Sequence, residues 1–199
     1  MKGQIKTKRL LLTLADKNDL PALEEIEKEC GEYFKFDPPS AAENNRSLRE
    51  CLATGDITPG VSQKNYKREN YRLYSIKKDD IIIGWLSFYL EYQKKDDVYL
   101  SVLYIKEACR SRGFGAEILD ALARTLAAAK YTTIKTHCSL RNALSLRFWV
   151  KRGFCRVTEV VCDGNLYPDN FGGLGLAMDI NPDNFHELNE TRMGGHILI

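Results

Sequence analysis

The chain has 199 residues, 44% of them hydrophobic and 28% charged, which suffices for one globular domain with a real core. Its formal net charge of +2 is too small to argue for nucleic acid or an anionic membrane surface as a partner. No run of about 18 apolar residues is present to cross a bilayer, and the basic start "MKGQIKTKRLLLTLADKND" has too short an apolar run to read as a signal peptide.

In chain order, "RLLLTLA" from Arg9 predicts a short strand. Asp19 then caps a helix whose Leu20, Leu23, Ile26 and Cys30 form one apolar stripe. Ser40 and Glu43 have capping-box spacing, which predicts a second helix from Ala41 to about Leu52. "ATGDITPGVSQ" reads as a loop. Three strands follow: "YRLYSI" from Tyr71, "IIIGWLSFYLEY" from Ile81 and "VYLSVLYI" from Val98 to Ile105. They are rich in β-branched and aromatic residues, and the polar turns "KKDD" and "QKKDD" make them antiparallel neighbours.

The pattern then changes. "GFGAEILDALARTLAAAK" puts Ile118, Leu119, Leu122 and Leu126 on one helical face, in an alanine-rich run. "TTIKTHCS" is a strand, "NALSLRFWVKR" a short helix stopped at Gly153, and "CRVTEVVC" and "GLGLAMDI" two more strands. A strand, a helix and a strand in succession require a parallel crossover, whereas the three-stranded meander before it is antiparallel. The fold class is therefore α+β: one mixed, mostly antiparallel sheet with helices on both faces. The domain covers 9–180. The tail 181–199 shows little periodicity and is a candidate homodimer contact. Six cysteines without a C-x-x-C pair and three separated histidines argue against a disulfide framework or a metal site, and point to reduced thiols in the cytoplasm.

The chemistry concentrates in "RSRGFG", Arg110 to Gly115, between the third meander strand and the alanine-rich helix. The first turn of a helix has unpaired N–H groups and the positive end of the helix dipole. Glycines let a bulky anion reach that backbone, and Arg110 and Arg112 add charged donors. A diphosphate suits so many converging donors better than one carboxylate. The stretch is neither a G-x-x-x-x-G-K-[ST] loop nor a G-x-G-x-x-G fingerprint, since position 118 is Ile118. The plain alternative is a tight turn with solvated arginines.

"LYIKEACRSRGFGAEIL" resembles the acyl-CoA-binding signature of the GCN5-related N-acetyltransferase (GNAT) family, with Arg110, Gly113 and Gly115 in register and Ile105 as the apolar strand residue. "NALSLRFWVKRGF" is similar to a second family motif through Asn142, Ser145, Trp149, Gly153 and Phe154. The resemblance implies a GNAT-like fold and an enzyme that moves an acetyl group from acetyl-CoA to an amine, with no metal. It implies a diphosphate cradle of Arg110, Ser111, Arg112, Gly113, Phe114, Gly115 and Ala116. It also implies a pantetheine arm paired to Leu103, Tyr104 and Ile105 and flanked by Asn142, Ser145 and Phe148.

The family commonly has a tyrosine where this chain has Trp149. An indole N–H can hydrogen-bond a departing sulfur but does not give up its proton in the useful range. Trp149 is thus either a weak catalytic participant or a core aromatic. Glu91 on the long strand is the first candidate base and Asp97 the second, against the alternative of surface charges. His137 is expected to be a packed core histidine. Tyr99, Tyr104 and Tyr167 are further hydroxyls. The acceptor is a small-molecule or peptide amine, selected by the early helices and loops. Tyr33, Phe34 and Phe36 in that region read as a helix–helix contact before a pocket lining. The rival function is an acyl-CoA-binding sensor or partner module without transfer.

Overall fold

The structure is a computed structural model and describes residues 3–30, 36, 47–55, 67–162 and 172–180. Its elements are β1 (Gln4–Lys6), β2 (Leu11–Leu14), α1 (Leu20–Lys28), α2 (Leu48–Thr54), β3 (Tyr71–Lys78), β4 (Ile81–Leu90), β5 (Asp97–Ile105), α3 (Phe114–Ala128), β6 (Thr133–Ser139), α4 (Ala143–Lys151), β7 (Arg156–Cys162) and β8 (Gly172–Asp179). The strands form one eight-stranded sheet in the order β1-β2-β3-β4-β5-β6-β8-β7. Every pair is antiparallel except β5 with β6, which α3 connects as a crossover. The expected mixed, mostly antiparallel sheet with helices on both faces is what forms.

Two cores sit on the two faces. On one, α3 buries Ile118, Leu119, Leu122 and Leu126, the four residues of its apolar stripe, against Leu12, Tyr74, Leu86, Phe88 and Leu100. On the other, α1 and α2 bury Leu23, Ile26, Leu48 and Cys51 against Leu73, Trp85, Tyr89 and Tyr104. Strand β4 lies mid-sheet and is buried from Ile83 to Leu90, which explains its near-continuous apolar run. Strand β7 is an edge and is exposed along its length.

Local details differ from the sequence reading. Asp19 stands at the N-cap of α1, but its side chain caps nothing. Its Oδ2 accepts from Ser75 Oγ at 2.7 Å, and its Oδ1 pairs with Lys77 Nζ at 3.0 Å. Pro21 in the first turn lacks one of the donors a cap would have satisfied. The second helix starts at Leu48 in the described residues, behind a capping box made by Ser47 and Glu50. The expected box at Ser40 and Glu43 lies outside the described residues. Strand β1 was not foreseen, because three residues with one buried position, Ile5, leave almost no period to read.

Two features of β5 shape the site. Between Ser87↔Val102 and Phe88↔Leu100 the ladder with β4 gains one residue, Ser101, a β-bulge. The ladder with β6 runs only through Asp97↔Thr133, Val98↔Ile134 and Tyr99↔Lys135. At the next step the Thr136 hydroxyl donates to the Leu100 carbonyl at 3.0 Å, so a side chain stands where the backbone contact ends. Beyond it β6 follows β8 while β5 follows β4, and the two part. Below the parting, Lys135 Nζ pairs with the buried Asp97 carboxylate at 2.5 Å.

Two substitutions test this frame. Lys135→Met leaves the Asp97 charge buried and uncompensated, and should cost about 3 kcal/mol or more in urea unfolding. Adding Asp97→Asn should recover much of that, and an unchanged midpoint for the single variant would show that the pair holds nothing. At Gly84 an added Cβ would stand 2.0 Å from the Tyr104 carbonyl oxygen. Gly84→Ala should therefore destabilise by on the order of 3 kcal/mol in a thermal melt.

Candidate functional site

The turn from β5 into α3 passes through two left-handed residues, Ser111 at φ 59° and Gly113 at φ 79°. That conformation suits glycine at Gly113 and is uncommon for the serine. Among the described residues, none of the six successive N–H groups from Ser111 to Ala116 has a hydrogen-bond partner; the first bond of the helix is from the Glu117 N–H to the Gly113 carbonyl. A turn followed by a helix N-terminus with six free donors is an anion cradle in chemical terms. Gly115 is small for another reason. A Cβ there would meet the Phe148 ring at 3.0 Å and Ile105 Cδ1 at 4.0 Å. The end of β5, the cradle and α4 therefore meet at Gly115.

The two arginines have different surroundings. Arg112 is exposed and its guanidinium has no hydrogen bond or ion pair among the described residues, which leaves it available to an anion. Arg110 turns back to the strand. Its Nε donates to the Ile105 carbonyl at 2.7 Å, and its guanidinium lies over the Tyr104 ring at 5.0 Å. Arg110 thus fixes the strand end to the turn, a role the expectation of a phosphate donor did not include.

A third arginine was not anticipated. Arg9, in the β1–β2 hairpin, donates from its backbone N–H to Glu117 Oε1 and from Nε to Glu117 Oε2, both at 2.7 Å. Its Nη1 donates to the Arg112 carbonyl at 3.0 Å, and its Cζ lies 4.5 Å from the centre of the Phe114 ring. Thr7 Oγ1 donates to the same Glu117 carboxylate. Burial alone would raise the Glu117 carboxyl, but the hydrogen bonds from Thr7 and Arg9 and the Arg9 charge outweigh it and hold the group below its ordinary value. No local signal could have found this cluster, because its partners are more than a hundred residues apart in the chain.

The parting of β5 and β6 opens a groove beside Leu103, Tyr104 and Ile105. Leu103 and Ile105 pack towards the α3 core, whereas Tyr104 turns to the opposite face and stacks on Trp85 at 4.7 Å. Across the groove, Asn142 caps α4, its Oδ1 accepting from the Ser145 N–H at 3.0 Å. The cap gathers Asn142 and Ser145 at the end of β6. Ser139 just before them donates to the Phe36 carbonyl at 2.7 Å. Tyr33, Phe34 and Tyr167 lie outside the described residues.

Other candidates are not brought here. Trp149 is buried in the core, edge-on to Phe148 at 5.1 Å and Phe154 at 5.0 Å. Glu91 is exposed just after β4, at the opposite end of the β4–β5 ladder from Ile105. Asp97 is at that far end too, held by Lys135. His137 is exposed rather than packed in the core, because it faces outward across β8, over Gly173. Under α1, burial pushes the Cys30 thiol up to about 12, and burial and that thiol push the hydrogen-bonded Tyr104 phenol up as well. None of the six cysteines is in a disulfide. Among the described residues no helix is long and apolar enough to cross a membrane.

The sequence profile of the acetyltransferase (GNAT) family matches residues 20–154. Among curated proteins, none matches the sequence. Among solved structures, the fold is similar to an acetyltransferase from Salmonella typhimurium that modifies the N-terminal serine of the 50S ribosomal subunit protein L7/L12. The identity is 19% over 89% of this chain and 99% of that one, with a TM-score of 0.65. A probable GNAT-family acetyltransferase from Chromobacterium violaceum has a TM-score of 0.66 at 17% identity, over 90% of this chain and 87% of that one. RimL, the ribosomal L7/L12 α-N-protein acetyltransferase solved with coenzyme A disulfide-bonded to one of its cysteines, has a TM-score of 0.62 at 16% identity, over 89% and 98%. With the profile covering the span from α1 through the turn after α4, and with the parted strands and the row of free N–H groups inside that span, the chain belongs to the acetyltransferase (GNAT) family.

Proposed function

We propose that this chain transfers an acetyl group from acetyl-CoA to the primary amine of a small molecule or peptide, directly and without a covalent enzyme intermediate. The observation that carries the reading is the row of six unpartnered N–H groups from Ser111 to Ala116. Several adjacent donors, with the Arg112 charge beside them, suit a diphosphate better than a single carboxylate. Gly113 allows the left-handed turn that ends the strand, and Gly115 admits the Phe148 ring beside the row.

The parted edge of β5 supports the second half of the ligand. The ladder with β6 has ended at Tyr99, and along the edge of β5 from Leu103 to Ile105 the amides of pantetheine would pair in the way an added strand pairs with a sheet edge. Asn142, Ser145 and Phe148 would flank the arm from α4. A strand N–H beside Tyr104 would polarise the thioester carbonyl. The neutral amine attacks the carbonyl carbon, the C–N bond forms and the C–S bond breaks. The proton shed by the amine compensates the charge on the departing sulfur. A thiol has a pKa of roughly 8.5, so the thiolate is a fair leaving group even without a dedicated acid.

Direct transfer is favoured over relay through Cys30. That thiol is buried and pushed up to about 12, so it supplies almost no thiolate at neutral pH. Most of the rate would then come from orientation and a polarised carbonyl.

A thermal melt with acetyl-CoA, CoA, ATP and NAD tests this on wild type and on Gly113→Trp, which places a large side chain at a left-handed position in the cradle. Wild type at about a hundred times Kd should gain roughly 5 °C or more with either CoA species. The variant should lose the gain. No gain in wild type would remove the reading. A gain without turnover on an amine panel would make the protein an acyl-CoA binder.

A further inference from the structure

We propose that Arg9 is a positioning residue of the diphosphate cradle: it holds the Arg112–Gly113 peptide so that the Gly113 N–H faces the anion. The inference rests on the cradle binding a diphosphate, as above. Nothing in "KTKRLLL" marks Arg9 for this role, and the case is geometric.

Apart from its bond to Thr7 within the hairpin, every contact of Arg9 described above is with the cradle or the first turn of α3. Nη1 takes the Arg112 carbonyl, Cζ covers Phe114, and the Glu117 carboxylate holds Nε and the backbone N–H. Nη2 is 3.5 Å from where a Cβ on Gly113 would be, so the guanidinium lies directly behind that residue. The peptide bond is planar and trans, and its C=O and N–H point in opposite directions. A carbonyl of Arg112 turned to Arg9 therefore requires the N–H of Gly113, in the same peptide unit, to point away from Arg9. That N–H is one of the six without a partner.

The turn needs such a fixture. With Ser111 and Gly113 both left-handed, a flip of the peptide between Arg112 and Gly113 is the natural way for it to relax, and a flip would present a carbonyl to the anion. Arg9 blocks the flip with a charged donor. Its own charge is largely offset by Glu117, which bonds to it twice and is held ionised. The effect of Arg9 is accordingly one of direction rather than of field, and Arg112 supplies the uncompensated charge. The hairpin brings Arg9 to the turn, which gives β1 and β2 a purpose at a site built from the other half of the chain.

The test is calorimetric binding of CoA and of dephospho-CoA to wild type, Arg9→Gln, Arg9→Lys and Lys8→Ala, each below its own ligand-free melting temperature. Both Arg9 variants should weaken both ligands by about ten-fold, because a lysine ammonium lacks the fork that holds a carboxylate and a carbonyl together. Lys8→Ala removes a charge from the same hairpin and should bind within about two-fold of wild type. Should Arg9→Gln fail to fold, Arg9→Lys, of nearly the same size and charge, decides. The proposal is overturned if the Arg9 variants bind like wild type. It is overturned equally if Arg9→Lys alone restores binding, which would make the effect one of charge. A loss confined to CoA, sparing dephospho-CoA, would show direct contact with the 3′-phosphate instead. Failure of wild type to bind CoA would defeat the diphosphate reading itself, a result distinct from all of these.

Discussion

Strand β6 leaves β5 after three residue pairs, and the rest of the site follows from that departure. A sheet that stayed paired would have no edge in its middle, no groove, and no backbone left for a ligand to complete. The parting has identifiable causes on both sides. The Thr136 hydroxyl takes the Leu100 carbonyl where the next ladder bond would have been, and β6 is drawn along its full length into pairing with β8. On the other side β5 gains Ser101 as a bulge against β4, which increases its local twist and turns its last residues with β4 rather than with β6. Below the parting the Asp97–Lys135 pair closes the two strands together. The sheet is therefore sound at one end and open at the other, and the open end is where the helix N-terminus and the glycine turn arrive.

At that open end, three different demands are met by small residues. Gly113 allows the left-handed backbone, Gly115 admits the Phe148 ring, and Gly84 lets β4 pass the Tyr104 carbonyl. Each acts at a different level: conformation, packing of a helix against a turn, and packing of a strand against a strand. Arginines divide the remaining work in a comparable way. Arg110 ties the strand end, Arg112 faces outward, and Arg9 stands behind the turn. The two arginines that read in sequence as undifferentiated positive charge are in space one charge and one fixture, and Arg9 adds a second fixture from the far end of the chain.

The opposite face of the sheet has another character. Under α1 and α2 the aromatic side chains run across β3, β4 and β5, with Tyr71 beside Tyr89, Tyr89 beside Tyr99, and Trp85 stacked on Tyr104. Burial there keeps Cys30 and Tyr104 protonated, so this face offers packing and neutral hydroxyls rather than ionised bases or nucleophiles. The carboxylates that sequence reasoning put forward lie at the far end of the ladder. On the proposed reading, transfer would depend on placement of the two substrates more than on an ionised side chain.

The sequence by itself determined the element order from β2 to β8, the buried stripe of α3, the crossover and the position of the glycine turn before α3. These are local properties: a period of two or 3.6, a glycine where φ must be positive, a helix that begins with free N–H groups. It also carried the family, because the two motifs are short and contiguous. What only the tertiary structure decided is everything that joins distant segments. Asp19 looked like a cap and became a partner of β3, because a carboxylate near a strand lysine and serine has better company than its own helix. The burial of the Trp149 ring against Phe148 and Phe154 is likewise a matter of packing that the sequence does not show. The length of the β5–β6 ladder is a contest between neighbours of β6 that no window of sequence contains. Arg9 reaches Arg112 and Glu117 only after a hairpin and a helix from opposite ends of the chain have been brought together, and a contact of that range leaves no period, motif or composition to read.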